Sequence, residues 1–202
     1  EHDVYLSVGH DEYWSRAMRE NVADARDAGV NLAFFSGNEI YWKIRWDDSI
    51  DGATTPFRTV VCYTEGDVGE NQCFDKCDPV QDVWTGLWRS GCDYPLADGC
   101  EPENDLSGQI SWKGTTGSIT VPYSYSQLPF WRNTSIANLS PQESATLPGG
   151  TLGYEWDFEQ YEEYYPANRI RMSETNRDGV THHLSLYRAP SGALVFGAGT
   201  VQ

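Results

Sequence analysis

The first forty residues constrain this chain most. An apolar strand runs into His10-Asp11-Glu12-Tyr13-Trp14, and a second strand, one helix later, runs into Ser36-Gly37-Asn38. Val4, Leu6 and Val8 alternate with more polar neighbours and meet Gly9, which reads as a short strand closing in a turn. From Trp14 the period changes, because Trp14, Met18, Val22, Ala25 and Gly29 recur every three or four residues, with Ser15 as cap and Gly29 as terminator. Val30 to Phe35 is then a nearly continuous apolar run, as expected for a strand covered on both faces. A crossover of this length makes the two strands parallel and right-handed in connection. The loops 9–13 and 36–39 then share the carboxyl edge of the sheet, where open α/β sheets bind ligands.

Further along, Ile40, Trp42, Ile44 and Trp46 alternate with Tyr41, Lys43 and Arg45, a period-two strand with one apolar face. Asp47 to Thr55 reads as a turn region and Phe57 to Tyr63 as another strand. From Glu65 to Gly150 there is no helical period, and Asp78-Pro79, Asp98-Gly99 and Gly149-Gly150 mark turns. Thr181 to Arg188 and Ala193 to Ala198 read as two strands joined through Pro190-Ser191-Gly192. The expected organisation is one domain, with a core of 1–63 and 151–202 and a β- or loop-rich insertion over 64–150. The expected class is α/β with a parallel sheet.

A net charge of −16 excludes a nucleic-acid partner, since phosphate binding needs clustered Lys and Arg. No apolar run approaches the roughly 20 residues that span a bilayer. Both ends look cut, so a fragment of a longer polypeptide is expected. Cys73, Cys77, Cys92 and Cys100 crowd one polar segment while Cys62 sits in an apolar strand, which points to two disulfides and a buried thiol. Local pairs Cys73 with Cys77 and Cys92 with Cys100 are the simplest of three connectivities. The sequons at Asn133 and Asn138 fit an exported glycoprotein, and a secreted or cell-surface location is expected.

The run Ser7-Val8-Gly9-His10-Asp11-Glu12-Tyr13-Trp14, followed by Gly29 to Asn38 and then Tyr41-Trp42, resembles the C-terminal part of the large (beta) subunit of N,N-dimethylformamidase and its relatives. There a His-x-Glu-Tyr motif and a Gly-Asn motif lie on a glutamine-amidotransferase-like (flavodoxin-like) core, and the interval of 28 from His10 to Asn38 fits. The resemblance implies a hydrolase that cleaves the C–N bond of a small, N-substituted amide with a mononuclear ferric ion, Fe(3+). By motif, Glu12 is implied as a metal ligand and His10 and Asn38 as the assisting catalytic pair. The two tyrosine ligands of that family lie upstream of the motif, outside this chain. The implied partners are the small amide substrate and the rest of a longer polypeptide or another subunit, with homo-oligomerisation also open.

On the residues alone, His10 and Glu12 also read as a turn pair at a helix start, and Asn38 after Gly37 as a common left-handed turn residue. His182-His183 alternate faces of a strand and read as structural, with at most one reaching a site. The acidic run Glu155, Asp157, Glu159, Glu162 and Glu163 has no EF-hand spacing and reads as a solvated face. A second class of function stays open. The many Trp and Tyr of the insertion, Trp84, Trp88, Trp112 and Trp131 among them, fit a non-catalytic secreted binding or structural module with exposed aromatics.

Overall fold

A computed structural model describes residues 2–64, 77–90, 100–110 and 112–201. Strands β1 (Val4–Gly9) and β2 (Tyr13–Ser15) lead into helix α1 (Arg16–Asp27), followed by β3 (Asn31–Ser36), β4 (Trp42–Asp47), β5 (Thr59–Val61) and β6 (Gly86–Leu87). Two single-turn helices, α2 (Asn104–Ser107) and α3 (Tyr123–Ser126), flank β7 (Thr120–Pro122), and β8 (Ser144–Thr146) comes next. The last strands are β9 (Ile170–Arg171), β10 (Thr175–Arg177), β11 (Val180–His182), β12 (Ser185–Arg188) and β13 (Leu194–Gly197). The start of α1 is capped as its sequence implies, for the Met18 N–H donates to Ser15 Oγ at 3.3 Å. Gly29 ends the turn after the helix at φ +100, a conformation that costs glycine little.

The chain divides into two units. The first comprises Glu1–Asp11, Asp24–Glu39 and Asn104–Gln202. Its main sheet has the order β1-β3-β13-β12-β9, with β1, β3 and β13 parallel, β12 antiparallel to β13, and β9 antiparallel to β12. Strands β12 and β13 form a hairpin whose turn uses Gly192 at φ +95. On one face Ser7, Leu32, Phe34 and Val195 are buried, whereas Val4, Leu6 and Val8 on the other are 53%, 57% and 66% exposed. The apolar half of the β1 alternation therefore points outward. A core of Ile119, Val121, Trp131, Leu152, Trp156, Met172 and Leu184 fills this unit. The indole N–H of Trp131 donates to the Met172 carbonyl at 2.9 Å, which satisfies the ring's polar atom inside that core. Buried Gln109 spends both amide hydrogens within hydrogen-bond reach of the carbonyls of His183 and Gly197 and of Ser185 Oγ, pinning β12 to β13.

The second unit comprises Glu12–Ala23 and Ile40–Glu103. Strand β4 is its centre, parallel to β2 and antiparallel to β5 and β6. Trp14, Ile44, Trp84 and Trp88 are buried here. The Lys43 ammonium, itself buried, lies 4.2 Å from the centroid of Trp84, a cation–π contact that offsets its desolvation. Arg89 reaches both carboxylate oxygens of Glu103, which is 1% exposed.

The expected α/β class, with a glutamine-amidotransferase-like (flavodoxin-like) parallel core, does not hold. The structure is mostly strands in several mixed sheets, and among the described residues α1 is the only helix longer than four residues. One strand–helix–strand unit forms as its periodicity implies, but β12 joins β13 through a tight hairpin and so runs antiparallel to it, and β9 pairs antiparallel to β12. The expected strand from Thr181 to Arg188 is likewise two strands, broken at His183-Leu184. Cys77 and Cys100 are disulfide-bonded, while each expected pair takes its other cysteine, Cys73 or Cys92, from outside the described residues. Cys62 carries a free, half-buried thiol, and burial pushes it up to about 11. Among the described residues no helix is long and apolar enough to cross a membrane.

Candidate functional site

In the first unit, three parallel strands deliver their carboxyl ends side by side. Gly9 at the end of β1 pairs with Ser36 at the end of β3, and β13 lies on the other side of β3. The Ser36 hydroxyl, fully buried, donates to the Gly9 carbonyl at 2.5 Å and accepts the Asp11 N–H at 3.4 Å. One side chain thus ties the loop after β1 to the loop after β3. Beyond β13, the chain pairs with segment 153–157: Asp157 N–H donates to the Gly199 carbonyl at 2.9 Å and Val201 N–H to the Glu155 carbonyl at 3.3 Å. Gly37 fits against that segment only because it lacks a side chain, since a Cβ there would lie 2.3 Å from the Glu155 carbonyl oxygen.

His10 follows β1 directly. Its Nδ1 lies 2.8 Å from Glu155 Oε2 and its Nε2 lies 2.5 Å from the Tyr154 hydroxyl. A carboxylate only accepts, so Nδ1 carries the proton and Nε2 is the acceptor for the Tyr154 O–H. This fixes both tautomer and ring orientation. The imidazole remains reachable, with its side chain 45% exposed.

Asn38 follows β3 in the left-handed region at φ +59, which asparagine tolerates. Its N–H donates to Asp157 Oδ1 at 2.7 Å, and its own Oδ1 is buried and accepts no hydrogen bond among the described residues. Next to it, Glu39 is 2% exposed and neither carboxyl oxygen has a partner among the described residues. Burial, and then the negative charge of Asp157, hold the Glu39 carboxyl well above the usual carboxylate range. His182 donates from Nδ1 to the Asp157 carbonyl at 2.9 Å, and its Nε2 is buried without a partner among the described residues. Burial lowers this imidazole to about 4, so it is neutral near pH 7. His10 and Asn38 thus sit on adjacent strand ends, backed by a buried polar layer of Glu39, Asp157 and His182.

Glu12 belongs to the second unit. It is half-buried just before β2, where its carbonyl accepts the Trp42 N–H at 2.7 Å, so its main chain is fixed.

Of the acidic run, Glu162 and Glu163 are solvated as its composition implies, but Glu155, Asp157 and Glu159 are not. Glu155 holds His10, Asp157 is 1% exposed, and Glu159 accepts from Arg169 at 2.6 Å and Arg171 at 2.7 Å. Burial alone would raise Glu159, but hydrogen bonds from His183 and Arg171 and the charge of Arg169 pull it far below the usual range. His183, also buried, donates from Nδ1 to the Ser173 carbonyl at 2.5 Å, in keeping with a structural role. Sequence reading missed Glu39 and Asp157 as site residues. The available signal was an acid directly beside Asn38, and an acid in the alternating Tyr154-Glu155-Trp156-Asp157 stretch. The tryptophans of the supposed binding row are mostly internal. Trp84, Trp88 and Trp131 are 2%, 1% and 7% exposed, so they do not form an exposed stacking surface.

No curated protein matches the chain. Residues 1–202 match a family described as N,N-dimethylformamidase beta subunit-like, C-terminal. The match covers the whole chain, including the His10-x-Glu12 segment and Asn38, and the chain accordingly belongs to the N,N-dimethylformamidase beta subunit-like family, as its C-terminal domain.

Proposed function

We propose that this domain supplies the histidine, glutamate and asparagine of a dimethylformamidase-type amidohydrolase, which cleaves the C–N bond of a small N-substituted amide. The observation that carries the reading is the pairing of adjacent strand ends: His10 and Asn38 follow β1 and β3, tied by the Ser36–Gly9 hydrogen bond, with His10 oriented by Glu155. Membership of a beta subunit-like family supports a domain that works together with another subunit.

Hydrolysis forms a bond from water oxygen to the amide carbon, breaks the C–N bond and moves a proton to the departing amine. His10 is built for that proton. With Nδ1–H held by Glu155, Nε2 takes the proton and the carboxylate stabilises the imidazolium that results. The Tyr154 hydroxyl now on Nε2 gives way when substrate enters. Asn38 donates from its amide to the oxyanion that develops on the carbonyl, a contact worth on the order of 10²-fold in rate. Its position is set by the bond from its N–H to Asp157.

The family resemblance implies ferric iron. The donor chemistry of Glu12 fits such an ion, because a carboxylate oxygen on a fixed main chain suits a hard trivalent centre. Glu12 would hold it together with the two tyrosines that the resemblance places outside this chain. When bound, such an ion polarises an amide carbonyl and lowers the pKa of bound water.

The test is Glu12→Gln in the intact, natively purified protein, with iron content and amide hydrolysis both measured. Loss of iron and of activity together is expected. Wild-type iron content in that variant rejects Glu12 as a ligand, and a wild-type protein without amidase activity rejects the enzymatic reading.

A further inference from the structure

A groove opens on the outward face of the five-stranded sheet in the first unit, and the amidase reading makes no use of it. Its floor follows from strand register. Phe196 pairs with Leu186 and Leu186 with Ile170, so these three side chains share one row, and Leu194 pairs with Arg188 two residues along. One wall is the single-turn segment at Pro129 and Phe130, whose ring stacks on Phe196 at 5.7 Å and 14°. The groove has a volume of about 870 Å³, within the range of small-molecule sites. Ile170 and Phe130 are each 45% exposed and Leu194 37%, so apolar surface is left open to water inside a concave site.

The charge of the groove is opposite to that of the chain. In a protein of net charge −16, eight of the eleven arginines pair with carboxylates. Arg132 and Arg188 are two of the three that pair with none among the described residues, and both line this groove. Among the described residues no Asp or Glu lines it. Arg188 is anchored by its own donation to the Gly192 carbonyl at 2.9 Å, which leaves the rest of its guanidinium fork available. Two uncompensated guanidinium groups at the rim of an apolar floor fit one kind of molecule, with a hydrocarbon or aryl body and an anionic head.

We infer that this groove binds one molecule of a small amphiphilic carboxylate, with its apolar body on Leu186, Ile170 and Phe130 and its carboxylate between Arg132 and Arg188. The experiment is isothermal titration calorimetry of the whole chain with decanoate below its micelle concentration, with decanol as the uncharged control and sedimentation of the same samples. Saturable one-to-one binding of decanoate is expected, with decanol at least about tenfold weaker. Arg132→Gln and Arg188→Gln should each weaken decanoate about fivefold or more without moving the thermal unfolding midpoint, because both side chains are on the surface. Absence of saturable binding overturns the inference. So does equal affinity for decanol, or wild-type affinity in both arginine variants. A dimer that either substitution dissociates also overturns it, assigning the groove to a contact between copies instead.

Discussion

His10 Nδ1–H donates to Glu155 Oε2 across 145 residues of sequence, at 2.8 Å. In Glu155→Ala the imidazole loses the group that selects its tautomer. On the proposed amidase reading, the expected result is a fall in kcat of roughly 10-fold to 100-fold in the intact protein. The unfolding free energy should move by less than about 1 kcal/mol, because the pair is open to solvent. Nitrogen NMR of the ring should show Nδ1–H in the wild type and a tautomer mixture in the variant. An unchanged tautomer together with unchanged kcat would make the pairing incidental.

Gly37→Ala is a second probe, directed at the backbone. The added methyl would sit 2.3 Å from the Glu155 carbonyl oxygen and 3.2 Å from the Thr200 Cα, neither of which is a flexible side-chain end. Overpacking of this kind costs typically about 1–3 kcal/mol. Thermal unfolding should register that loss, and amidase activity should fall further than stability alone accounts for, because Asn38 and Glu155 move apart. Alanine tolerated with full activity would show that the close approach has no functional weight.

Two buried groups give the fold opposing pH dependences. Glu39 has a reference value of 4.5 and is held well above it in the folded state, so above 4.5 the folded protein keeps a proton that the unfolded chain has released. Stability from this group is complete below about 4.5 and is lost as pH rises through its raised value. Glu39→Gln should therefore gain stability over wild type as pH rises from 4 to 8, and be nearly equal to it at pH 4. His182 works in the other direction. Its value falls from 6.5 to about 4, so the unfolded chain binds the proton first and stability drops as pH falls from about 6.5 to about 4. Urea unfolding of wild type, Glu39→Gln and His182→Gln across pH 4–8 measures both slopes. A Glu39→Gln difference that does not change with pH would show that Glu39 is ionised in the fold.

In the second unit, Arg89→Met removes the guanidinium that both oxygens of the buried Glu103 face. An uncompensated buried charge costs about 3–5 kcal/mol. Hydrogen exchange should show increased opening in residues 86–90 and 100–103. The double variant Arg89→Met with Glu103→Leu should recover most of the loss, since the buried pair contributes little net stability against apolar replacements. No recovery would point instead to packing of Arg89 over the Tyr41 ring, 5.0 Å away.

The sequence makes β1, α1 and β3 legible because each is a local pattern: alternation, a 3.6-residue period with Ser15 as cap, and an apolar run. The adjacency of His10 and Asn38 follows from those patterns alone, through the handedness of one crossover. What stays hidden is non-local. Nothing near Leu194 says that β13 enters the sheet between β3 and β12, where its antiparallel hairpin with β12 makes the sheet mixed. Glu39 and Asp157 look solvated in any local window, because what surrounds them is distant in the chain, as Asp157 meets Asn38 at a separation of 119 residues and His182 at 25. Trp84, Trp88 and Trp131 mislead for the same reason, since aromatic content does not distinguish a surface from a core. Even β1 deceives about its inner side, as Ser7 is buried while Leu6 and Val8 are not.

The central place of β13 has a consequence for biosynthesis. Its neighbours are β3, which ends at Ser36, and β12, so the sheet cannot close until Leu194–Gly197 has left the ribosome. At translation rates of about 5–20 residues per second, β1 and β3 wait roughly 10–30 s as an unfinished pair. During that interval the side of β3 that β13 will occupy lacks a hydrogen-bonding neighbour, and the outward valines and leucine of β1 add to the sticky surface. A nascent chain of this kind has reason to depend on a chaperone, and truncation within β13 should leave it insoluble rather than merely less active.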